Sequence, residues 1–177
     1  AGILVTMAAA LQKQNKFNAA IEKYVEAIEG MTAALQRRAG EGGGGVPHEI
    51  IARAYADQGI AEYTGRQNKD AALKLARRSV EEYEALLMFP VPDDIAGMIH
   101  VSHANTRLNM AYLLEELEEL DAAIVELNWI IDPGNYPNDM DEKTSNIAGS
   151  LQSNAQQVLR EIEQIKGREE SSMKQDV

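Results

Sequence analysis

Apolar residues recur at helical spacing along most of the chain. Ile21, Tyr24, Val25, Ile28, Met31 and Leu35 fall three and four residues apart, as do Leu73, Ala76, Val80, Tyr83 and Leu87. Ile147, Leu151, Ala155, Val158, Ile162 and Ile165 repeat the pattern near the end. Such spacing puts each set on one face of a helix. No stretch of similar length alternates with period two, and Val, Ile and Thr do not cluster, so no strands are expected.

The punctuation divides this all-α chain into seven predicted helices. The first covers about 3–14 and the second about 18–38, ending in Arg37 and Arg38, cations that suit the negative end of a helix dipole. Gly40 to Pro47 (GEGGGGVP) is predicted to be a flexible linker, because consecutive glycines make helix costly. A third helix covers about 48–65, and a fourth follows Asn68, a favourable N-cap, to about Met88. Phe89-Pro90-Val91-Pro92 breaks the chain, and Asp93 or Asp94 is expected to cap a fifth helix reaching about Glu118. Asp121 opens a sixth, stopped by Asp132-Pro133-Gly134; Thr144 or Ser145 is expected to cap the last, which ends near Gly167. Residues 168–177 are predicted to be a disordered tail.

Three segments read alike. Phe17 to Ile28, Lys69 to Val80 and Leu120 to Ile131 superpose when Ala20, Ala72 and Ala123 are aligned, at spacings of 52 and 51 residues (20 to 72 to 123). A small side chain where two antiparallel helices cross lets their backbones touch, with larger apolar neighbours filling the groove beside it.

The pattern resembles the second helix of a tetratricopeptide repeat. Ala20-Ile21, Tyr24 and Ala27 match that helix, with Phe17 at the aromatic turn position; Ala123-Ile124 and Ala72-Leu73 with Ala76 and Ser79 follow it more loosely. In the preceding helices the small position is matched by Ala8 and Ala111, whereas Ile60 departs and Gly59 lies one residue early; Leu11, Tyr63 and Leu114 match the next position. A standard unit is about 34 residues, so this is a long-helix variant; the usual proline after the second helix is replaced by Thr32 and Glu84 in the first two units. The resemblance covers residues 1–133. It implies a right-handed α-α superhelix (a solenoid) of three such pairs, about 3–38, 48–88 and 94–131, with 145–167 as a C-terminal capping helix and 1–167 as a single domain.

The resemblance also implies function. First helices of this family line a concave groove, which here comprises Val5, Ala9, Gln12, Ala54, Asp57, Ala61, Thr64, Asn105, Leu108, Tyr112 and Glu115. That wall reads as small and apolar with few polar handles, suited to an amphipathic helix or apolar peptide. The family's clamp for chaperone tails is not matched, since its places hold Val5, Ala9, Gln58, Asn105 and Asn109. The expected function is a non-enzymatic protein-interaction module, an adaptor, scaffold or assembly factor. The alternative is a constitutive subunit whose groove is filled by a neighbour, by a second copy or by the chain's own last helix.

Composition narrows the choice. A chain of 177 residues is long enough to bury about 70% of its unfolded surface as one domain. With 28 acidic against 17 basic residues the net charge is -11, which disfavours nucleic acid and anionic membrane surfaces as partners. There is no cysteine, hence no disulfide or thiolate chemistry, and no apolar run of about 20 residues. The chain opens at Ala1, as a processed product or a piece of a longer protein would. Arg66, Lys69, Lys74, Arg77 and Arg78 form a basic strip, and Glu115, Glu116, Glu118, Glu119, Asp121 and Glu126 an acidic corner; each is either a solvated face or a docking patch.

No cofactor or metal is expected. Gly40, Gly42 and Gly45 match a dinucleotide fingerprint only formally, since they follow a helix rather than a strand. His100 and His103 share a helix face without a third ligand, and the acids of 132–142 lack the spacing of a calcium loop. No serine or histidine sits in a nucleophile-like context, and Trp129 reads as core.

Overall fold

The computed structural model describes residues 2–38 and 45–173. Its helices are α1 (Gly2–Lys13), α2 (Phe17–Arg38), α3 (Gly45–Arg66), α4 (Lys69–Leu87), α5 (Asp93–Glu116), α6 (Leu120–Ile131) and α7 (Glu142–Met173), with a 3-10 turn at Pro133–Asn135. The described residues contain no strand. The chain divides into two compact units, Ala1–Ile99 and His100–Val177.

In the first unit α1 and α2 form one antiparallel pair and α3 and α4 another. The connection between partners is built the same way each time. Asn15 and Gln67 adopt left-handed backbone (φ 58° and 53°), and the next residue's carbonyl accepts from the alanine four further on, Lys16 from Ala20 and Asn68 from Ala72, both at 3.0 Å. The α5–α6 connection in the second unit repeats the scheme with Glu118 (φ 62°) and a bond from Ala123 N–H to the Glu119 carbonyl at 3.1 Å. A residue in this conformation satisfies carbonyls left over at a helix end while reversing the chain. The three positions keep the spacings of the three alanines (15 to 67 to 118), so backbone geometry and side-chain pattern carry one period.

The alanines sit where close approach demands them. Ala20 and Ala123 are fully buried and Ala72 nearly so, as are Ala8 and Ala111 in the preceding helices. On α3 the small residue is Gly59, not the exposed Ile60: a Cβ added there would meet the Ala72 carbonyl oxygen at 3.3 Å and the Leu75 Cβ at 3.5 Å. Ser79 of α4 fastens the same pair, its buried hydroxyl donating to the Ala52 carbonyl at 2.8 Å. Val5, Ala8, Tyr24, Ile28, Ile51 and Ala54 form one core of this unit, and Ala52, Tyr83, Leu86 and Ile99 a second.

Helix ends differ from expectation in four places. Residues 40–44 of the predicted linker lie outside the described residues, but Gly45, Val46 and Pro47 already belong to α3. Proline is tolerated in a first turn because its missing N–H would find no acceptor there. At α5, Pro92 precedes the helix and accepts from Ala96 N–H at 3.0 Å, leaving Asp93 and Asp94 inside the first turn, where their charge favours the dipole. At α7 the cap is Asp141, three residues earlier than Thr144: its carboxylate accepts from the Thr144 amide at 2.9 Å and hydroxyl at 2.7 Å. Those bonds hold the Asp141 carboxyl below its usual range. The same helix runs on to Met173, through the exposed Gly167 and into the segment predicted as a tail; residues 174–177 lie outside the described residues. A solvent-facing glycine costs a helix only about 1 kcal/mol, and the Ser171 hydroxyl donates to the Gly167 carbonyl at 2.8 Å.

Two substitutions test this construction by chemical denaturation. Gly59→Val should destabilise the chain by about 1–3 kcal/mol through overpacking against α4, whereas Ile60→Val should cost under about 0.5 kcal/mol. Gln67→Gly should stabilise it by about 1 kcal/mol by relieving left-handed strain; a loss of stability would mean that the Gln67 side chain matters more than its backbone.

Candidate functional site

In the first unit a trough runs between α1 and α3. It comprises two adjoining clefts, of about 580 Å³ and about 460 Å³. The larger is bordered by Val5, Thr6, Ala9 and Lys13 of α1 and by Glu49, Ile50 and Arg53 of α3. The smaller is bordered by Ala9, Gln12 and Lys13, by Phe17 and Tyr24 of α2, and by Arg53, Asp57 and Thr64. Ala9, Lys13 and Arg53 border both and so mark the waist.

The walls are held in place by packing. Gly65 lets the end of α3 press against Phe17, and Arg66 ties it to α2 by donating to Asn18 Oδ1 at 2.9 Å while pairing with Glu62 at 2.9 Å. The Tyr24 ring is fully buried, and its hydroxyl donates to Gln12 Oε1 at 3.1 Å, which turns the Gln12 amide nitrogen into a spare donor. Burial pushes the Tyr24 hydroxyl pKa upward, so it stays a neutral donor.

Of the residues expected to line a groove, Val5, Ala9, Gln12, Asp57 and Thr64 border these clefts. Ala54 and Ala61 do not: both are fully buried, and Ala54 is packed in the core with Val5, Tyr24 and Ile51. Asn105, Leu108, Tyr112 and Glu115 lie along α5 in the second unit, where Leu108 is buried, Glu115 is half-buried, and Asn105 and Tyr112 are exposed.

The trough is also more polar than expected. Glu49, Arg53 and Asp57 stand four apart on one stripe of α3, with Lys13 on α1. Desolvation raises the Asp57 carboxyl pKa, and the Arg53 guanidinium, 3.9 Å away, pulls it back down. Family alignment selects Asp57 but passes over Glu49 and Arg53; the four-residue charge spacing is the sequence signal that marks them.

The remaining candidates are largely absorbed by the scaffold. Arg66 and Arg78 of the basic strip pair with Glu62 and Glu81, and Asp121 of the acidic corner pairs with Lys166. Asp132 accepts from the Gly134 amide at 2.9 Å, closing its own turn. His100 Nδ1 lies 2.8 Å from the Asn135 carbonyl. Among the described residues, no group of three or more His, Asp or Glu could hold a metal.

The second unit contains a buried polar cluster that spacing did not reveal. Arg107, buried on α5, pairs with Glu126 of α6, donates through Nε to His103 Nε2 at 3.1 Å and lies over the Trp129 ring at 4.5 Å. The His103 and Trp129 rings are 4.6 Å apart, and Asn135 Nδ2 donates to the Trp129 carbonyl at 2.7 Å. The Arg107–Glu126 pair is desolvated and serves to position α5 on α6.

Burial, reinforced by the Arg107 charge, lowers the His103 pKa from 6.5 to about 3. The unfolded chain therefore binds a proton that the folded chain refuses between those values. Stability from this group is fully present above pH 6.5 and is lost as pH falls toward 3, by on the order of a few kcal/mol in all. Urea titrations between pH 7 and 4 should show this loss, and His103→Gln should flatten it; an unchanged slope would assign the acid limb to other groups. Comparison of the chain with protein-family models, curated proteins and solved structures finds no match.

Proposed function

We propose that this chain is a non-enzymatic protein-interaction module of the tetratricopeptide-repeat kind, an adaptor, scaffold or assembly factor. In this reading the three repeated helix pairs follow a right-handed superhelix, α7 is its cap, and a peptide or amphipathic helix is held against the first helices of the pairs. The observation that carries it is the α1–α3 trough: apolar and charged side chains line a cleft between two first helices, each anchored from behind by its own partner. A surface of that kind suits a chain segment with apolar anchors and a few fixed polar contacts. Among the described residues no helix is long and apolar enough to cross a membrane.

Exposed apolar residues favour a second reading, a permanent subunit of a larger complex. Ile3 and Met7 stand one turn apart on α1 at 78% and 47% exposure, and Met88 and Val125 are exposed at 87% and 64%. Light scattering after size exclusion separates the two: a stable monomer supports the adaptor, and self-association or precipitation supports the subunit.

Selection from a displayed library of random helical peptides tests the groove itself. Binders should emerge, and Ala9→Arg, which fills the waist, should weaken them at least about tenfold while leaving thermal unfolding unchanged. Failure to select any binder, or binders indifferent to this change, would overturn the assignment.

A further inference from the structure

The charges around the α1–α3 trough are ordered. Along α3, Glu49, Arg53 and Asp57 read acidic, basic, acidic at four-residue intervals. At 1.5 Å rise per residue, adjacent members stand about 6 Å apart and the set spans about 12 Å. Arg53 is at the waist with Lys13 on α1, so the centre carries two cations, while Glu49 borders the larger cleft and Asp57 the smaller. The stripe is only weakly satisfied from within: the Arg53–Asp57 contact is long at 3.9 Å, the Arg53 side chain is 67% exposed, and the Asp57 carboxylate has lost part of its water.

We infer that the trough takes an amphipathic helix whose charged row reads basic, acidic, basic at four-residue spacing, its acid seated between Lys13 and Arg53 and its apolar row on Val5, Ala9 and Ile50. This rests on the reading of the trough as a partner-binding groove. A helix laid along α3 presents side chains at the same pitch of about 6 Å, so all three charges meet opposites in one register. The order is a palindrome and therefore fixes register without fixing direction. A purely acidic segment would crowd Glu49 and Asp57, and a purely basic one would crowd Arg53 and Lys13. Both are rejected by like-charge contact as much as by missing attraction.

Two synthetic helical peptides of about 16 residues test this, identical outside their charged rows, with an apolar row of Leu and Ala. One carries Lys-Glu-Lys and the other Glu-Lys-Glu at four-residue spacing. Fluorescence anisotropy with the full chain should show the first binding about tenfold tighter at low salt, the gap closing toward about 0.5 M. The triple variant Glu49→Lys/Arg53→Glu/Asp57→Lys, its fold checked by circular dichroism, should exchange the preference. Equal binding of the two peptides, or an unexchanged preference in the folded variant, would overturn the charge reading and leave the groove standing. If neither peptide binds the native chain, the charge reading also falls, and the library selection decides separately whether the trough binds any helix.

Discussion

Two helices can share a hairpin only if their backbones come close enough for the short connection to close. Here that closeness is set by what is missing from the side chains. Gly59 faces the Ala72 carbonyl at a distance that leaves room for a methyl group at most, and Ala8 and Ala20 are buried in the corresponding pair. The left-handed residue in each connection completes the closure, at a steric cost that asparagine bears easily and glutamine and glutamate less so. With the pairs fixed, α1 and α3 keep constant positions on their supports, and the trough between them has walls that are not free to collapse.

This scaffold was legible because its signals are local and repeated. Helical periodicity needs only a few turns of sequence, and the spacing of the three alanines returned as the spacing of three turn residues that no composition rule would single out. Asn68 as a cap was readable too, its side chain accepting from Ala71 N–H at 3.1 Å. The errors arose where two local rules compete. Glycine next to proline reads as a breaker, yet Pro47 belongs to a first turn, where its lost donor costs nothing. Asp141 and Thr144 are both good caps, and the choice is settled by the Thr144 hydroxyl turning its own bond back to Asp141. Gly59 was one residue out of frame with Ala8 and Ala111; only the facing backbone shows that it does the same job.

The trough was half legible. Spacing along one helix assigns residues to a stripe but does not say which of two adjacent stripes faces outward, because that depends on the helices packed behind it. Ala54 and Ala61 are interior, while Asp57 and Thr64 of the same expected set, with Arg53 beside Ala54, border the opening. The Arg107 cluster was illegible for a related reason: its members lie on different helices, and a buried cation reads in sequence as a solvated one.

The stacking of Arg107 on Trp129 has an optical consequence. The chain has a single tryptophan, so its indole emission originates wholly within the second unit, beneath a guanidinium and beside an imidazole. Excitation at the red edge of the absorption band thus reports the seating of α5 on α6, and does not directly see the hairpins of the first unit. Four of the six tyrosines, Tyr24, Tyr55, Tyr63 and Tyr83, lie in the first unit and give those hairpins most of a separate signal at shorter wavelength, to which Tyr112 and Tyr136 of the second unit add. One sample therefore carries one chromophore confined to the second half and another weighted toward the first.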